Sequence, residues 1–291
     1  MIINQVSRVH AEKMNLNPIV SILHRKFRNI SVESHLNSYE VRQNQLNIYH
    51  FGGLYCLLVF FKFKAIKAHS YNVVVFHGTD LHRFNKDLSV INRLKSYLNY
   101  LSNIVLIQYS DYTYLVSDSL MPYVPKLMLK KVKILNLGVD LESLQDIHRA
   151  SSSKSLAFVN NNNRGVKNYP LAKRFVDTHN LKINVLMGLN QKEFFAQLGS
   201  SYGLIVTSFQ EGSPNVLKEA LALGLAIITV DVGDCKSNIS RFGGTLIDYN
   251  GDIVQEFMAS EKYSLEYLSI DNTISQILND FNVFIDNGYA I

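Results

Sequence analysis

Ser208–Asp234 reads SFQEGSPNVLKEALALGLAIITVDVGD. An apolar run, Leu204–Thr207, leads into it, and a second, Ala226–Val230, lies within it. Between them Pro214–Leu223 has the length and spacing of a helix. Ser213-Pro214 reads as the helix start: serine caps orphan amides, and proline is tolerated at the first helical position. Gly224 reads as the stop. Strand, loop, helix and strand in this order are the repeating piece of a parallel sheet with crossover helices. Glu211 lies in the loop. Glu219 follows eight positions later, about one and a half turns into the helix. The amides of Asn215 and Val216, at the positive end of the helix, favour an anion in front of them. One carboxylate can accept from ribose hydroxyls and the other from sugar hydroxyls. The stretch therefore reads as a seat for a phosphorylated, polyhydroxylated ligand, which points to a nucleotide-sugar enzyme.

The same alternation extends both ways. Leu156–Val159 reads as strand, Tyr169–Thr178 as helix, Ile183–Met187 as strand and Lys192–Leu198 as helix. Upstream, Ile19–Leu23, Ile48–Phe51, Val73–Phe76, Ile104–Ile107 and Val132–Leu135 read as strands, with helices over Gly53–His69 and Asp87–Leu101. The polar stretch Ser151–Ser155 is the natural linker. The expectation is an α/β protein with two doubly wound domains facing a cleft. Residues 1–148 would form the first domain, 149–275 the second, and 276–291 a C-terminal helix or tail. Ligands in such sheets bind beyond the C-terminal ends of the strands. Three chemically rich loops sit there: His77–Asp80, Asn160–Lys167 and Phe209–Asn215.

Arg164 and Lys167 in the second of these loops could pair with a diphosphate through charge-assisted bonds. Taken alone they fit a solvated basic turn equally well. His77, with Gly78 allowing close backbone approach, suits contact with a sugar or phosphate oxygen. A lone histidine is more often structural, and His50 and His69 are read that way.

Composition narrows the field. Of 291 residues, 47% are hydrophobic and 18% charged, an ordinary globular balance. Cys56 and Cys235 lie far apart, which fits a reducing cytosol. The N-terminus has no apolar signal core. The longest apolar run, Gly53–Phe61, falls short of the ~20 residues that a spanning helix needs. No Cys/His/Asp cluster has metal-ligand spacing, so no protein-bound metal is expected. Residues 1–150 carry 18 Lys and Arg against 10 Asp and Glu, net +8; residues 151–291 carry 11 against 14, net −3. Lys62, Lys64 and Lys67, and Lys126, Lys130, Lys131 and Lys133, could rest on an anionic membrane surface; solvated faces are the plainer reading of each cluster. Zinc spacings, RNP-like aromatics and basic-zipper heptads are missing, which argues against nucleic acid.

Glu211-Gly212-Ser213-Pro214-Asn215-Val216, then Lys218-Glu219-Ala220, Gly224 and Val230–Asp234, resemble the donor site of family 4 retaining glycosyltransferases. These have the GT-B fold, two Rossmann-like domains around a cleft. The resemblance extends to His77–Asp80, to Arg164–Asn168 and, more weakly, to Asn136–Leu141, and covers roughly residues 45–250. It implies that Glu219 binds the nucleotide ribose and that Glu211 holds the transferred sugar. Gly212, Ser213, Pro214, Asn215 and Val216 would contact sugar and phosphates through the amides around them. Arg164 and Lys167 would neutralise the leaving diphosphate, and His77 would touch the donor sugar. The implied enzyme transfers a hexose with retention and without metal or other cofactor. Its acceptor would be a glycan or lipid-linked glycan in surface polysaccharide synthesis, and its place the cytoplasm or the inner face of the membrane. Two departures stand out. Family members open with a strand and glycine-rich loop, whereas here the first glycine is Gly52, so the N-terminal domain reads as lacking its first strand-loop unit. The usual Asn-Gly at the crossing is Leu137-Gly138. Two rivals remain: a nucleotide-sugar 2-epimerase of the same fold, and a non-catalytic subunit that works with a companion chain.

Overall fold

The computed structural model describes residues 2–7, 18–30, 32–36, 45–65, 70–78, 81, 90–147, 154–160 and 165–286. The chain divides into two units, Met1–Asn136 with Asp271–Ile291, and Leu137–Ile270.

In the first unit β1 (Ile2–Val6), α1 (Pro18–Asn29), β2 (Glu33–Leu36), β3 (Gln45–His50), α2 (Gly53–Ala65), β4 (Ser70–Phe76), α3 (Val90–Tyr109), β5 (Tyr112–Leu115) and β6 (Val132–Ile134) follow in order. The strands form one parallel sheet in the order β2-β1-β3-β4-β5-β6. The order reverses direction between β1 and β3, which makes that point the ligand crevice of the unit.

Three expectations are corrected here. The first strand is present: β1 lies inside the sheet, paired on both sides. It escapes a hydrophobicity reading because Asn4 and Gln5 stand in its middle, both fully buried. Their partners are polar groups on neighbouring strands. Asn4 Nδ2 donates to Asn47 Oδ1 at 3.4 Å, and Gln5 Nε2 to Ser34 Oγ at 3.5 Å. Ile19–Leu23 is helical, inside α1. Ile19, Val20, Leu23 and Phe27 are buried there at helical spacing, while charged Arg25 and Arg28 look outward. Ile104–Ile107 lies within α3, with Leu106 and Ile107 in the core, and the strand comes after it, at β5.

The second unit contains β7 (Ser155–Val159), α4 (Tyr169–Thr178), β8 (Lys182–Leu186), α5 (Gln191–Gly199), β9 (Gly203–Val206), α6 (Asn215–Ala222), β10 (Ala226–Thr229), α7 (Cys235–Phe242), β11 (Gly244–Ile247) and β12 (Ile253–Phe257). Its sheet order is β12-β11-β10-β9-β7-β8, parallel except for β12 against β11. The expected alternation from Leu156 to Val230 is found nearly residue for residue. Leu156, Phe158, Leu204, Leu217 and Ile227 anchor the core. Here the strand order reverses between β7 and β9, which again marks the binding crevice.

The division falls at Asn136/Leu137, earlier than residue 148. Val139 N donates to Leu268 O, and Ile270 N donates to Val139 O. A Cβ on Gly138 would stand 2.2 Å from Ser269 O, so this segment is pressed onto the second unit and needs glycine. The last helix, α8 (Ile270–Asp286), begins before residue 276, and from Asp271 onward it belongs to the first unit. Asp280 accepts from Tyr114 Oη and pairs with Lys133 at 2.6 Å, and Thr273 Oγ1 donates to Asn136 O. Lys133 is thereby taken out of the basic surface set.

Candidate functional site

The site in the second unit lies where the loops after β7 and β9 meet. Thr207, at the end of β9, donates its hydroxyl to the carbonyls of Lys167 and Asn168, both at 3.0 Å. Phe209 N donates to Val166 O at 2.9 Å. These bonds hold the two loops side by side and bring Lys167 Nζ to 2.6 Å from Glu211 Oε1. Both side chains are mostly buried, so the pair is charge-assisted and poorly screened. It borders a shallow, open depression whose walls include Phe158, Val159, Val206 and Val216. An anion entering it would compete with Glu211 for the Lys167 ammonium.

The start of α6 differs from the sequence expectation. Pro214 is the N-cap residue and Asn215 the first helical one. Ser213 does not cap. Its hydroxyl donates to Asp234 Oδ2 at 2.6 Å and accepts from the Lys218 ammonium. Lys218 is buried, also donates to Leu137 O, and lies 3.4 Å from Asp234 Oδ2. Asp234 N donates to Gly212 O at 3.0 Å. The loop Glu211–Ser213 is thus clamped from below by Lys218 and from the side by Asp234. Gly233 makes the close approach possible: its φ is +57°, and a Cβ there would meet Gly212 O at 2.3 Å. The first amides of α6, those of Asn215 and Val216 included, have no partner within the helix. Asn215 Oδ1 and Asp234 Oδ1 are buried without a hydrogen-bond partner, and a buried polar atom in that state calls for an explanation.

Glu219 is half-buried on α6. Burial pushes its carboxyl up to about 7, against the opposing pull of the Lys218 charge. Hydroxyl donors placed on that carboxylate would favour its ionised form.

His77 belongs to the first unit, at the end of β4. Its Nε2 lies 3.1 Å from His50 Nδ1, and its ring stacks on Phe51 at 4.1 Å. The other His50 nitrogen, Nε2, contacts Gln5 Oε1 at 3.2 Å. Desolvation lowers the His50 pKa to about 3, so the ring is neutral. A carbonyl oxygen can only accept, so His50 Nε2 carries the proton and Nδ1 accepts from His77 Nε2–H. His50, set aside as structural by sequence reasoning, orients His77. Phe51 has φ +65°, the left-handed region that L-residues rarely adopt, in the turn from β3 into α2.

Arg164 lies outside the described residues, as do Thr79 and Asp80. Lys167, Glu211, Gly212, Ser213, Pro214, Asn215, Val216 and Glu219 all sit in or around the loop-helix junction of the second unit. Sequence reasoning quoted Lys218, Gly233 and Asp234 but gave them no role. The available signal was a lysine three positions before Leu221 on the core-facing side of the helix, where a charge needs an acid partner.

No family model matches the chain, and no curated protein matches its sequence. Solved structures do match. AviGT4, a glycosyltransferase involved in avilamycin A biosynthesis, superposes with a TM-score of 0.63 at 9% identity, over 99% of this chain and 98% of that one. Sucrose-phosphate synthase from Thermosynechococcus elongatus gives 0.61 at 11%, over 97% and 91%. The lipopolysaccharide outer core galactosyltransferase WaaB gives 0.58 at 12%, over 96% and 100%. Identities this low speak to the fold alone. The fold is GT-B, built from two parallel-dominated, Rossmann-like units.

Proposed function

We propose that this chain is a retaining glycosyltransferase. It moves a hexose from a nucleotide-diphosphate sugar to a glycan or lipid-linked glycan in surface polysaccharide synthesis, as a peripheral protein at the cytoplasmic face of a membrane. The observation that carries this reading is the Lys167–Glu211 pair, set at the strand-order reversal in front of the first amides of α6. That is an anion seat with a carboxylate beside it. The glycosyltransferases of the same fold add support at the level of class.

In the proposed reaction the diphosphate binds to the amides of Asn215 and Val216 and to the Lys167 ammonium, with Arg164 as a second cation. Contacts from Gly212 to Pro214 complete the wall. Glu211, released from Lys167, accepts from hydroxyls of the sugar, and Glu219 from those of the ribose. The buried Asn215 Oδ1 gains a donor from the ligand. The bond from the anomeric carbon to the leaving phosphate oxygen breaks, and its electron pair stays on the phosphate. The acceptor oxygen bonds to the same face of that carbon, and its proton passes to the departing phosphate. No dedicated base and no metal are required; the cation and the helix end stabilise the charge that develops. His77, its tautomer set by His50, is the first unit's candidate for contact with a sugar oxygen.

The test is a nucleotide panel by calorimetry, followed by transfer assays with and without chelator. Lys167→Ala is expected to weaken nucleoside-diphosphate binding, and Glu211→Ala to abolish transfer with the fold retained. Wild-type turnover by Glu211→Ala on the true donor would sink the assignment. A 2-epimerase would instead convert its nucleotide sugar without acceptor. A non-catalytic subunit would instead show no transfer alone and activity only with its companion chain.

A further inference from the structure

The first unit exposes apolar side chains where a surface helix normally exposes polar ones. On α3 the residues Ile91, Leu94, Leu98 and Leu101 recur at spacings of three and four. They lie on one face, and that face is open: Ile91 is 68% and Leu94 60% exposed. The opposite side, with Tyr100, Asn103, Leu106 and Ile107, is the buried one. On α2 the residues Leu54, Leu58 and Phe61 form a second exposed stripe, with Leu58 at 63%.

The two helices lie against each other, with the start of α2 level with Asn99 and Asn103 of α3, so the α2 stripe begins where the α3 stripe ends. Asn103 Oδ1 accepts from Gly53 N at the start of α2, and the Phe61 ring meets the Tyr109 ring at 6.1 Å near the ends of both helices. Exposed apolar side chains gathered in this number on two neighbouring helices mark an interaction site.

The charge on these elements has one sign. Neither α2, nor α3, nor the turn Lys126–Lys131 contains an aspartate or glutamate. At 3.6 residues per turn the exposed Arg93 and Lys95 fall on opposite flanks of the α3 stripe. The Lys126–Lys131 turn is tied to the end of α3: Lys131 Nζ donates to Gln108 O at 2.8 Å and to Ser110 O at 3.1 Å. It presents Lys126 and Lys130 beside the almost fully exposed Leu127. An apolar strip between cations is the pattern of a helix that lies in a lipid interface. No helix among the described residues is long and apolar enough to cross a membrane.

We infer that the α2–α3 face docks the chain onto an anionic phospholipid bilayer, with Leu58, Leu94 and Leu98 entering the acyl boundary and Arg93, Lys95, Lys126 and Lys130 meeting lipid phosphates. This deepens the membrane-peripheral part of the proposed function and rests on that reading, while docking and transfer are separately measurable. A protein partner would be expected to bring acids to so basic a rim and to ignore lipid composition; a bilayer supplies both the anions and the apolar layer.

The test is co-sedimentation of the full chain with phosphatidylglycerol/phosphatidylcholine vesicles and with pure phosphatidylcholine vesicles. Wild type is expected to bind the anionic vesicles and to leave the neutral ones. Arg93→Ala with Lys95→Ala is expected to lower anionic-vesicle partitioning about 30-fold, from about 1 kcal/mol per cation. Leu58→Ser, Leu94→Ser and Leu98→Ser together should lower it by at least about tenfold. Nucleotide binding by calorimetry is expected to be unchanged in both variants, which separates a failure of docking from a failure of the enzymatic reading. Equal binding to neutral vesicles, no binding to either kind, or unchanged binding by the variants would overturn the inference. So would concentration-dependent self-association that the serine variant abolishes without affecting vesicle binding, which would make the face a contact between two copies of the chain.

Discussion

Lys218→Met is expected to destabilise the second unit by about 3 kcal/mol. The substitution keeps the length of the side chain and removes its charge. It deletes donations to Leu137 O and Ser213 Oγ and the 3.4 Å pairing with Asp234. Breaking a buried ion pair by removing one partner costs about 3–5 kcal/mol, because the other charge stays buried. Asp234 retains 17% exposure and the Ser213 hydroxyl at 2.6 Å, so the lower end applies. At this size each kcal/mol moves a domain's melting midpoint by about 4 °C, giving a loss of about 12 °C. The chain has no tryptophan, so unfolding in urea is followed by far-UV circular dichroism. The control is Lys218→Met with Asp234→Asn, which leaves no uncompensated charge and should recover about 2 of the 3 kcal/mol. A single variant that loses less than about 1 kcal/mol, or a double variant no better than the single, would refute the account of Lys218 as the clamp of this loop.

Other outcomes follow from the same geometry. In the folded chain Glu219 holds its proton to about 7, whereas the unfolded chain releases it near 4.5, so stability should fall as pH rises between those values. Glu219→Gln should flatten that part of a urea pH–stability profile, and an unchanged slope would mean the carboxyl is not held protonated. His50 acts from the acid side. The unfolded chain takes up its proton below 6.5 while the folded ring resists to about 3, so stability should fall as pH drops through that window. His50→Gln should remove this dependence; if the acid limb persists in full, its source lies elsewhere. Gly233→Ala forces a side chain into left-handed backbone 2.3 Å from Gly212 O and should cost about 1 kcal/mol or more, together with weaker nucleotide binding. A melting temperature equal to wild type would show that the loop does not depend on that approach.

The second unit was legible in the sequence because its signals are local. Leu156–Val159, Leu204–Thr207 and Ala226–Val230 are apolar runs bounded by turn residues, and each helix between them has its own periodicity. The first unit misled for the same reason. β1 carries Asn4 and Gln5 at its centre, and nothing within five residues says that Asn47 and Ser34 will satisfy them. Ile104–Ile107 reads as a strand in isolation, yet it completes α3, whose apolar residues occupy both its buried and its exposed face.

From the chain alone come the α/β alternation, the loop-helix junction at Ser213–Asn215, the two acids and the excess of positive charge in the first half. These depend on residue type and spacing over a turn or a strand. Tertiary structure decided which groups meet. Lys167 reaches Glu211 across 44 positions because β7 and β9 are neighbours in the sheet. Lys218 is buried against Asp234 because the loops leading into α6 and α7 are bonded to each other. Ser213 became part of that clamp and Pro214 took the cap. Sheet order and helix packing set these meetings, and both arise from burial summed over the whole unit, which no short window of sequence contains.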